Sequence, residues 1–134
     1  MLNSTTTQKR VFIVGECVLF DDGITQLLEH KTNSLVSRAV YSDENAIKSN
    51  QSDAVLICES GSVDTSHILN LISSHGMATL LLIMIIRLRN NVIDIYARPI
   101  FVEGRVSGSP QRIVAKTGDD LVNALKRNLS VNAE

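Results

Sequence analysis

A short apolar run near the start of the chain constrains its fold more than any other feature. Residues 11–14 are four consecutive β-branched or aromatic side chains within the stretch KRVFIVGECVLF (9–20). Such an unbroken run is typical of a strand buried on both faces, as at the centre of a parallel sheet. Gly15 ends the run and lets the chain turn away. Because open α/β folds place their sites at the carboxyl ends of such strands, this sheet edge is where function is expected.

Apolar runs and amphipathic segments alternate along the chain up to residue 86. Residues 18–30 have the apolar spacing of a helix, with inward positions predicted at Leu19, Phe20, Ile24, Leu27 and Leu28. The pattern then predicts strands at 35–41, 53–58 and 78–86, with helices at 44–48 and between 64 and 76. Strict alternation of this kind predicts parallel strands joined by right-handed crossovers, with helices on both faces of the sheet.

The alternation becomes irregular between residues 87 and 116. Residues 90–96 are predicted to form one or two helical turns before Pro99, and residues 100–106 a small hairpin or an irregular arm. A last short strand is expected at 112–115, followed by a final helix that begins at Gly118. The predicted fold class is α/β: a doubly wound, flavodoxin-like parallel five-stranded sheet with an irregular or inserted segment before the last strand.

Composition argues against several functional classes. Thirteen basic and fourteen acidic side chains leave a formal net charge of −1, so no basic field indicates nucleic acid. The longest apolar run lies within 78–86 and is far shorter than the ~20 residues that span a bilayer. Residues 1–8 lack the apolar core of a signal peptide and are predicted to be a disordered lead-in. One domain is expected at 9–130, with an atypical segment at 90–111 and a cytoplasmic location.

Four segments together resemble a two-component response-regulator receiver domain. VFIVGECVLFDDGITQLLE (11–29) resembles its opening, in which two acidic residues follow the first strand and lead into a helix of the form LFxxGLxxLLE. AVYSDENAI (39–47) resembles the second strand and helix start, and DAVLIC (53–58) the phospho-acceptor strand. VAKTGDDLVNALKR (114–127) resembles the last strand, its lysine and the final helix. The resemblance implies a receiver-like sheet.

The same resemblance implies a degenerate phosphorylation pocket at Gly15, Glu16, Cys58, Glu59 and Lys116. Receivers hold Mg²⁺ with clustered carboxylates. Here Gly15 replaces one acid, and Cys58 stands at the acceptor position, where a thiolate is a poor ligand for Mg²⁺. Alternation along the strand places Glu59 on the opposite side from Cys58, unless the strand ends one residue early. Only Lys116 matches the family, so we expect no metal, no cofactor, no phosphoryl transfer and no enzymatic activity.

A degenerate receiver, or pseudo-receiver, is expected to act in signal transduction or transcription control through protein–protein contact. The candidate interface is Tyr96, Ile100, Phe101 and Val102 in the atypical segment, since exposed apolar side chains mark interfaces. The alternative is that these side chains cover the sheet edge. The expected partner is another protein or a second copy of the chain, as a homodimer, with no direct nucleic-acid or membrane contact.

A second functional class stays open, a small-ligand-binding or thiol-based enzyme or redox module at the ends of the first and third strands. In that case Cys58 is the nucleophile and Lys116 lowers the pKa of its thiol. Cys17 and Cys58 lie at the ends of neighbouring predicted strands, where they could meet or share a metal with Glu16 and Glu59. The simpler interpretation is that both cysteines are small buried side chains.

Overall fold

A computed structural model of the chain describes residues 8–16, 18–60, 63–74, 80–87, 89–97, 101–102 and 105–133. In the first part strands and helices alternate: β1 (Arg10–Gly15), α1 (Val18–Thr32), β2 (Leu35–Val40), α2 (Glu44–Ser49), β3 (Ala54–Glu59), α3 (Thr65–Ser73) and β4 (Leu82–Arg87). The second part contains β5 (Val92–Ala97), β6 (Phe101–Val102), β7 (Arg105–Val106), β8 (Gln111–Val114) and α4 (Gly118–Ala133). This element order confirms the predicted α/β class.

One mixed sheet contains six of these strands, in the order β2-β1-β3-β4-β5-β8. Strands β1 to β4 run parallel to one another. Strand β5 is antiparallel to both of its neighbours, β4 and β8, so β8 again runs parallel to the first four. The prediction of a five-stranded, all-parallel sheet is therefore wrong in two respects, because the sheet has a sixth strand and because that strand runs in the opposite direction.

The reversed strand β5 occupies the segment for which helical turns were predicted. After β4 the chain turns back, and Asn91 has a φ of 55°, in the left-handed region that asparagine tolerates better than most residues. Ile93 and Ile95 then enter the core on one side of the sheet, while Asp94 lies on the other side. This two-residue period belongs to a strand. The prediction of one or two helical turns at 90–96 is therefore wrong.

The central strands divide the core between two faces. Val11 and Ile13 lie on the face covered by α1 and α4, together with Cys58. Phe12 and Val14 lie on the face covered by α2 and α3. All five are at most 2% exposed, and burial of a large aliphatic side chain of this kind stabilises a fold by about 1.5–3 kcal/mol. The continuous apolar run in β1 is thus explained by a strand with a helical layer on each side.

Helix α1 presents an acidic residue to the sheet in its first turns. Asp21 is 7% exposed, whereas Leu19, for which the inner face was predicted, is 84% exposed. Asp21 stands three and seven residues before the buried Ile24 and Leu28, a spacing that puts all three on one helical face. Leu19 is two residues away from Asp21 and so lies about 200° around the helix axis. The inward position of Asp21 therefore forces Leu19 outward.

A small hairpin, β6–β7, lies on the α2/α3 side of the sheet. Its second strand contacts α3, and Val106 packs against the core on that face together with the half-buried Tyr96. Residues 101–102 and 105–106 pair antiparallel, as expected for the hairpin that was one of the two predicted alternatives for 100–106. In the described part of the chain, no helix combines the length and the apolar character needed to cross a membrane.

Candidate functional site at the carboxyl ends of the strands

Gly15 and Cys58 lie side by side at the ends of β1 and β3, and the Asp21 carboxyl group lies against both. A Cβ atom built on Gly15 would be 3.1 Å from each carboxylate oxygen of Asp21 and 3.1 Å from Cβ of Cys58. The space that a side chain at position 15 would occupy is therefore filled by Asp21, which comes from the following helix. Cys58 is 1% exposed.

The Asp21 carboxyl group is poorly satisfied in this position. Burial raises its pKa above the ordinary value, although a hydrogen bond from the Cys58 thiol and the charge of Arg38 act in the opposite direction. Oδ1 of Asp21 is buried without a hydrogen-bond partner among the described residues. Asp21 was not among the predicted site residues. Its spacing from Ile24 and Leu28 was the sequence signal that could have revealed it.

Glu16 lies at the exposed rim of this region. The Ser60 hydroxyl donates a hydrogen bond to the Glu16 carboxylate, which ties the end of β1 to the end of β3. A cavity of about 250 Å³ opens beside Glu16 and is lined by Gly15, Glu16, Asp21, Arg38, Ala39 and Val40. The site at the end of β1 therefore has two carboxyl groups, one exposed and one buried, and Arg38, whose guanidinium already pairs with Asp22.

Glu59 lies on the opposite face of the sheet from Cys58, as the alternation along β3 predicted. Its carboxylate accepts a hydrogen bond from the Thr65 hydroxyl at 2.7 Å and forms an ion pair with Arg87. Arg87 also donates two hydrogen bonds to Asp94, at 3.1 and 2.9 Å. Glu59 is thus held by α3 and β4 and makes no described contact with the Gly15–Cys58 region.

Asp94 is the centre of a row of charges that crosses four strands of the sheet. Arg112 on β8 donates two hydrogen bonds to it, at 2.7 and 3.0 Å, in addition to the two from Arg87. Asp94 is 1% exposed. The hydrogen bonds from Arg112, followed by those from Arg87, hold the pKa of the Asp94 carboxyl group below its ordinary value against the effect of burial. We call Glu59, Arg87, Asp94 and Arg112 the charge row.

Lys116 does not join the other predicted pocket residues. It follows β8, and its backbone N–H donates to the Asp120 side chain at 2.7 Å. Strand β8 is three strands away from β3 in the sheet order, which at ~4.8 Å per strand is roughly 14 Å. In the predicted five-stranded sheet the interval was two strands. The insertion of β5 therefore separates Lys116 from Cys58, and Lys116 does not reach the position predicted for it in the pocket.

Comparisons with known protein families, with curated proteins and with solved structures each find no match to this chain. Within the described residues, no three histidine, cysteine, aspartate or glutamate side chains are grouped closely enough to hold a metal ion.

Two parts of the predicted site fall wholly or partly outside the described residues. Cys17 lies outside the described residues. The structure therefore bears on the predictions for the cysteine pair only through Cys58, which is buried. Of the candidate interface, Ile100 lies outside the described residues, and Phe101 and Val102 form β6. Tyr96 lies on β5 and is half-buried against the α2/α3 core, so it contributes at least partly to covering the sheet.

Proposed function

We propose that this chain is a cytoplasmic, receiver-like regulatory domain that takes no phosphoryl group and acts in signalling through contact with another protein. The observation that carries the proposal is the arrangement of Gly15, Asp21 and Cys58. At the ends of β1 and β3, where a receiver has an acid and its acceptor aspartate, the chain has a glycine and a buried thiol. The Asp21 carboxyl group fills the space beside them.

The chemistry of phosphoryl transfer is poorly supported by these groups. An incoming phosphoryl group needs an accessible oxygen nucleophile and a divalent cation that neutralises its charge. Cys58 is 1% exposed, and its thiol is hydrogen-bonded to Asp21. Asp21 has a raised pKa because it is buried, which disfavours the carboxylate form that a cation would need.

Contact through the β5–β8 end of the sheet is supported by what that end exposes. Helices α2 and α3 cover the central strands on their face, but Val114 on β8 is 60% exposed. Val114 and Arg112 lie on the same face of β8, since they are two residues apart. An exposed apolar side chain beside an arginine is a common composition for a protein interface.

The first experiment tests phosphorylation. The intact chain is incubated with acetyl phosphate and Mg²⁺, and its mass is measured. We expect an unchanged mass. A gain of one phosphoryl group would contradict the proposal, and a parallel Cys58→Ala variant would show whether the adduct is on the thiol.

The second experiment tests contact, with a second copy of the chain as the partner. Sedimentation velocity over a range of concentrations is expected to show reversible self-association that Val114→Glu weakens. Val40→Glu is the matched control, because Val40 is 51% exposed on the opposite edge strand. A chain that stays monomeric at every concentration would argue against self-contact, and equal effects of the two variants would argue against the β8 face.

The alternative, a ligand-binding or thiol-based module at the ends of β1 and β3, has less support. Cys58 is buried, Glu59 lies on the other face, and Lys116 follows a strand three positions away. Titration of the native chain with a thiol reagent separates the two functions. Rapid modification of Cys58 would favour the thiol-based module.

A further inference from the structure

A second cavity lies on the α1/α4 face and shares no lining residue with the cavity beside Glu16. It has a volume of about 430 Å³ and opens between α1, the carboxyl end of β4 and the start of α4. Small-molecule pockets in proteins typically have volumes of about 300–1,000 Å³. Its apolar wall is formed by Phe20, Ile24, Leu27, Ile86, Ile93, Ala115 and Leu121. The cavity is thus large enough and apolar enough to bury the body of a small ligand.

The polar residues that line this cavity are Arg87, Asn91, Lys116 and Thr117, and none of the described residues that line it is acidic. The Arg87 guanidinium lies on the α2/α3 face of the sheet, where it pairs with Glu59 and Asp94. Lys116 is exposed and forms no ion pair with any residue that the structure describes. Lys116 is therefore the cation that remains available to a ligand at this site.

The reversed strand explains why the cavity exists. Since β5 separates β4 from β8, α4 begins one strand further from α1 than it would in a five-stranded sheet. The two helices still meet at Gly118, where an added Cβ would be 2.7 Å from Cδ2 of Leu27. Beside this contact Gly23 lines the cavity, and an added Cβ there would meet no atom within 4 Å. Leu19, 84% exposed, lies at the same cavity.

We propose that this cavity binds a small amphipathic carboxylic acid, with its apolar body against Ile24, Ile93 and Leu121 and its carboxylate at the Lys116 ammonium group. An aliphatic or aryl acid satisfies both properties of the cavity, the apolar wall and the excess of positive charge. A neutral or cationic analogue with the same tail satisfies only the first. The inference goes beyond the proposed function and does not depend on it, because none of Gly15, Asp21 and Cys58 lines this cavity and binding of a small molecule needs no protein partner.

The experiment uses octanoate as the probe and compares it with 1-octanol and octylamine, which share its chain length. Isothermal titration of the full chain is expected to give saturable binding of one octanoate, at least tenfold weaker binding of octanol and the weakest binding of octylamine. Lys116→Met is expected to reduce octanoate affinity to that of octanol. Lys126→Met, at an exposed position of α4, is the charge control and is expected to leave octanoate affinity unchanged.

A second pair of variants tests the location. Gly23→Leu places a side chain in the cavity and is expected to abolish octanoate binding, whereas Gly23→Ala leaves most of the volume and is expected to retain it. Both variants replace a helical glycine, so both are expected to fold at least as stably as the native chain. The proposal is overturned if octanoate does not bind saturably, if octylamine binds as well as octanoate, or if Gly23→Leu binds as well as Gly23→Ala.

Discussion

Removal of the Asp94 carboxylate is expected to destabilise the fold, because this buried group pairs with two arginines. Asp94 accepts four hydrogen bonds from two arginines, at distances between 2.7 and 3.1 Å. Hydrogen bonds to charged groups contribute about 1.5–3 kcal/mol each, but such contributions are not additive. Breaking a buried ion pair by removal of one partner costs about 3–5 kcal/mol. The Arg87 side chain is 33% exposed and that of Arg112 is 63% exposed. Both guanidinium groups can therefore be hydrated once the carboxylate is removed.

We therefore take the lower end of that range. Asp94→Ala is expected to reduce the free energy of unfolding by about 3 kcal/mol, which for a chain of this length corresponds to a fall in Tm of roughly 10 °C. Urea unfolding followed by circular dichroism at pH 7 measures the difference. Arg112→Met is the comparison, and its effect is expected to be smaller, because Arg87 still pairs with Asp94.

The same prediction has a pH dependence of known sign. The pKa of Asp94 is lowered by folding, so its stabilising contribution is present above the unfolded-state pKa of about 3.9 and is lost as the pH falls through the folded-state value. The difference in free energy of unfolding between the native chain and Asp94→Ala is therefore expected to be constant from pH 5 to pH 8, which lies above the reference pKa of about 3.9. In more acidic solution this difference is expected to decrease to zero. A difference in free energy of unfolding below about 1 kcal/mol at pH 7 would refute the reasoning, and so would a difference that stays unchanged in strong acid.

Three further predictions concern single residues. Asp21→Asn is expected to stabilise the chain at pH 7, because it removes a buried negative charge and keeps the size of the side chain. Since burial raises the pKa of Asp21, this gain should disappear as the pH falls below the unfolded-state value; equal gains at acidic and neutral pH would contradict it. Gly15→Ala is expected to lower stability, because overpacking against Asp21 and Cys58 costs about 1–3 kcal/mol. The lower backbone entropy of alanine in the unfolded chain offsets only about 0.5–1 kcal/mol of this cost. An unchanged urea midpoint would show that the neighbouring side chains move aside. Asp64→Ala removes the side chain that accepts the His67 backbone N–H at the start of α3, and a loss of about 1 kcal/mol is expected in the same assay, with Asp64→Ser as the control that retains a cap.

Much of the first part of the fold could be predicted from the sequence because its signals are local. The apolar run of β1 and the spacing of α1 each depend on a single physical rule, burial on both faces or on one helical face. The final helix was also predictable, since Leu121, Val122 and Leu125 have the spacing of a buried helical face and all three are buried. The direction of a strand is a different kind of property. Whether residues 92–97 run parallel or antiparallel depends on the turn after β4, and the apolar pattern is the same for both.

The candidate site was less predictable because it depends on neighbours that the chain order does not reveal. Gly15 and Cys58 were expected to lie together, and they do. Asp21 was missed because an acidic residue in a helix is ordinarily assigned to the solvent side, even when its spacing is that of the core. Lys116 was expected beside Cys58 because the sequence around it resembles the last strand and the lysine of a receiver domain. Strand β5, which was not predicted, separates Lys116 from Cys58 in the folded chain.

The tight turn between β4 and β5 has a consequence for the order in which the molecule folds. Arg87 pairs with Val92, only five positions further on, whereas Val11 of β1 must find Ala54 of β3 across 43 positions. Closing a short loop costs less chain entropy and takes less time than closing a long one. We therefore expect the antiparallel pair β4–β5 to form early in folding. The parallel strands of the amino-terminal half, whose pairing partners are far apart in the chain, are expected to pair later, beside β4.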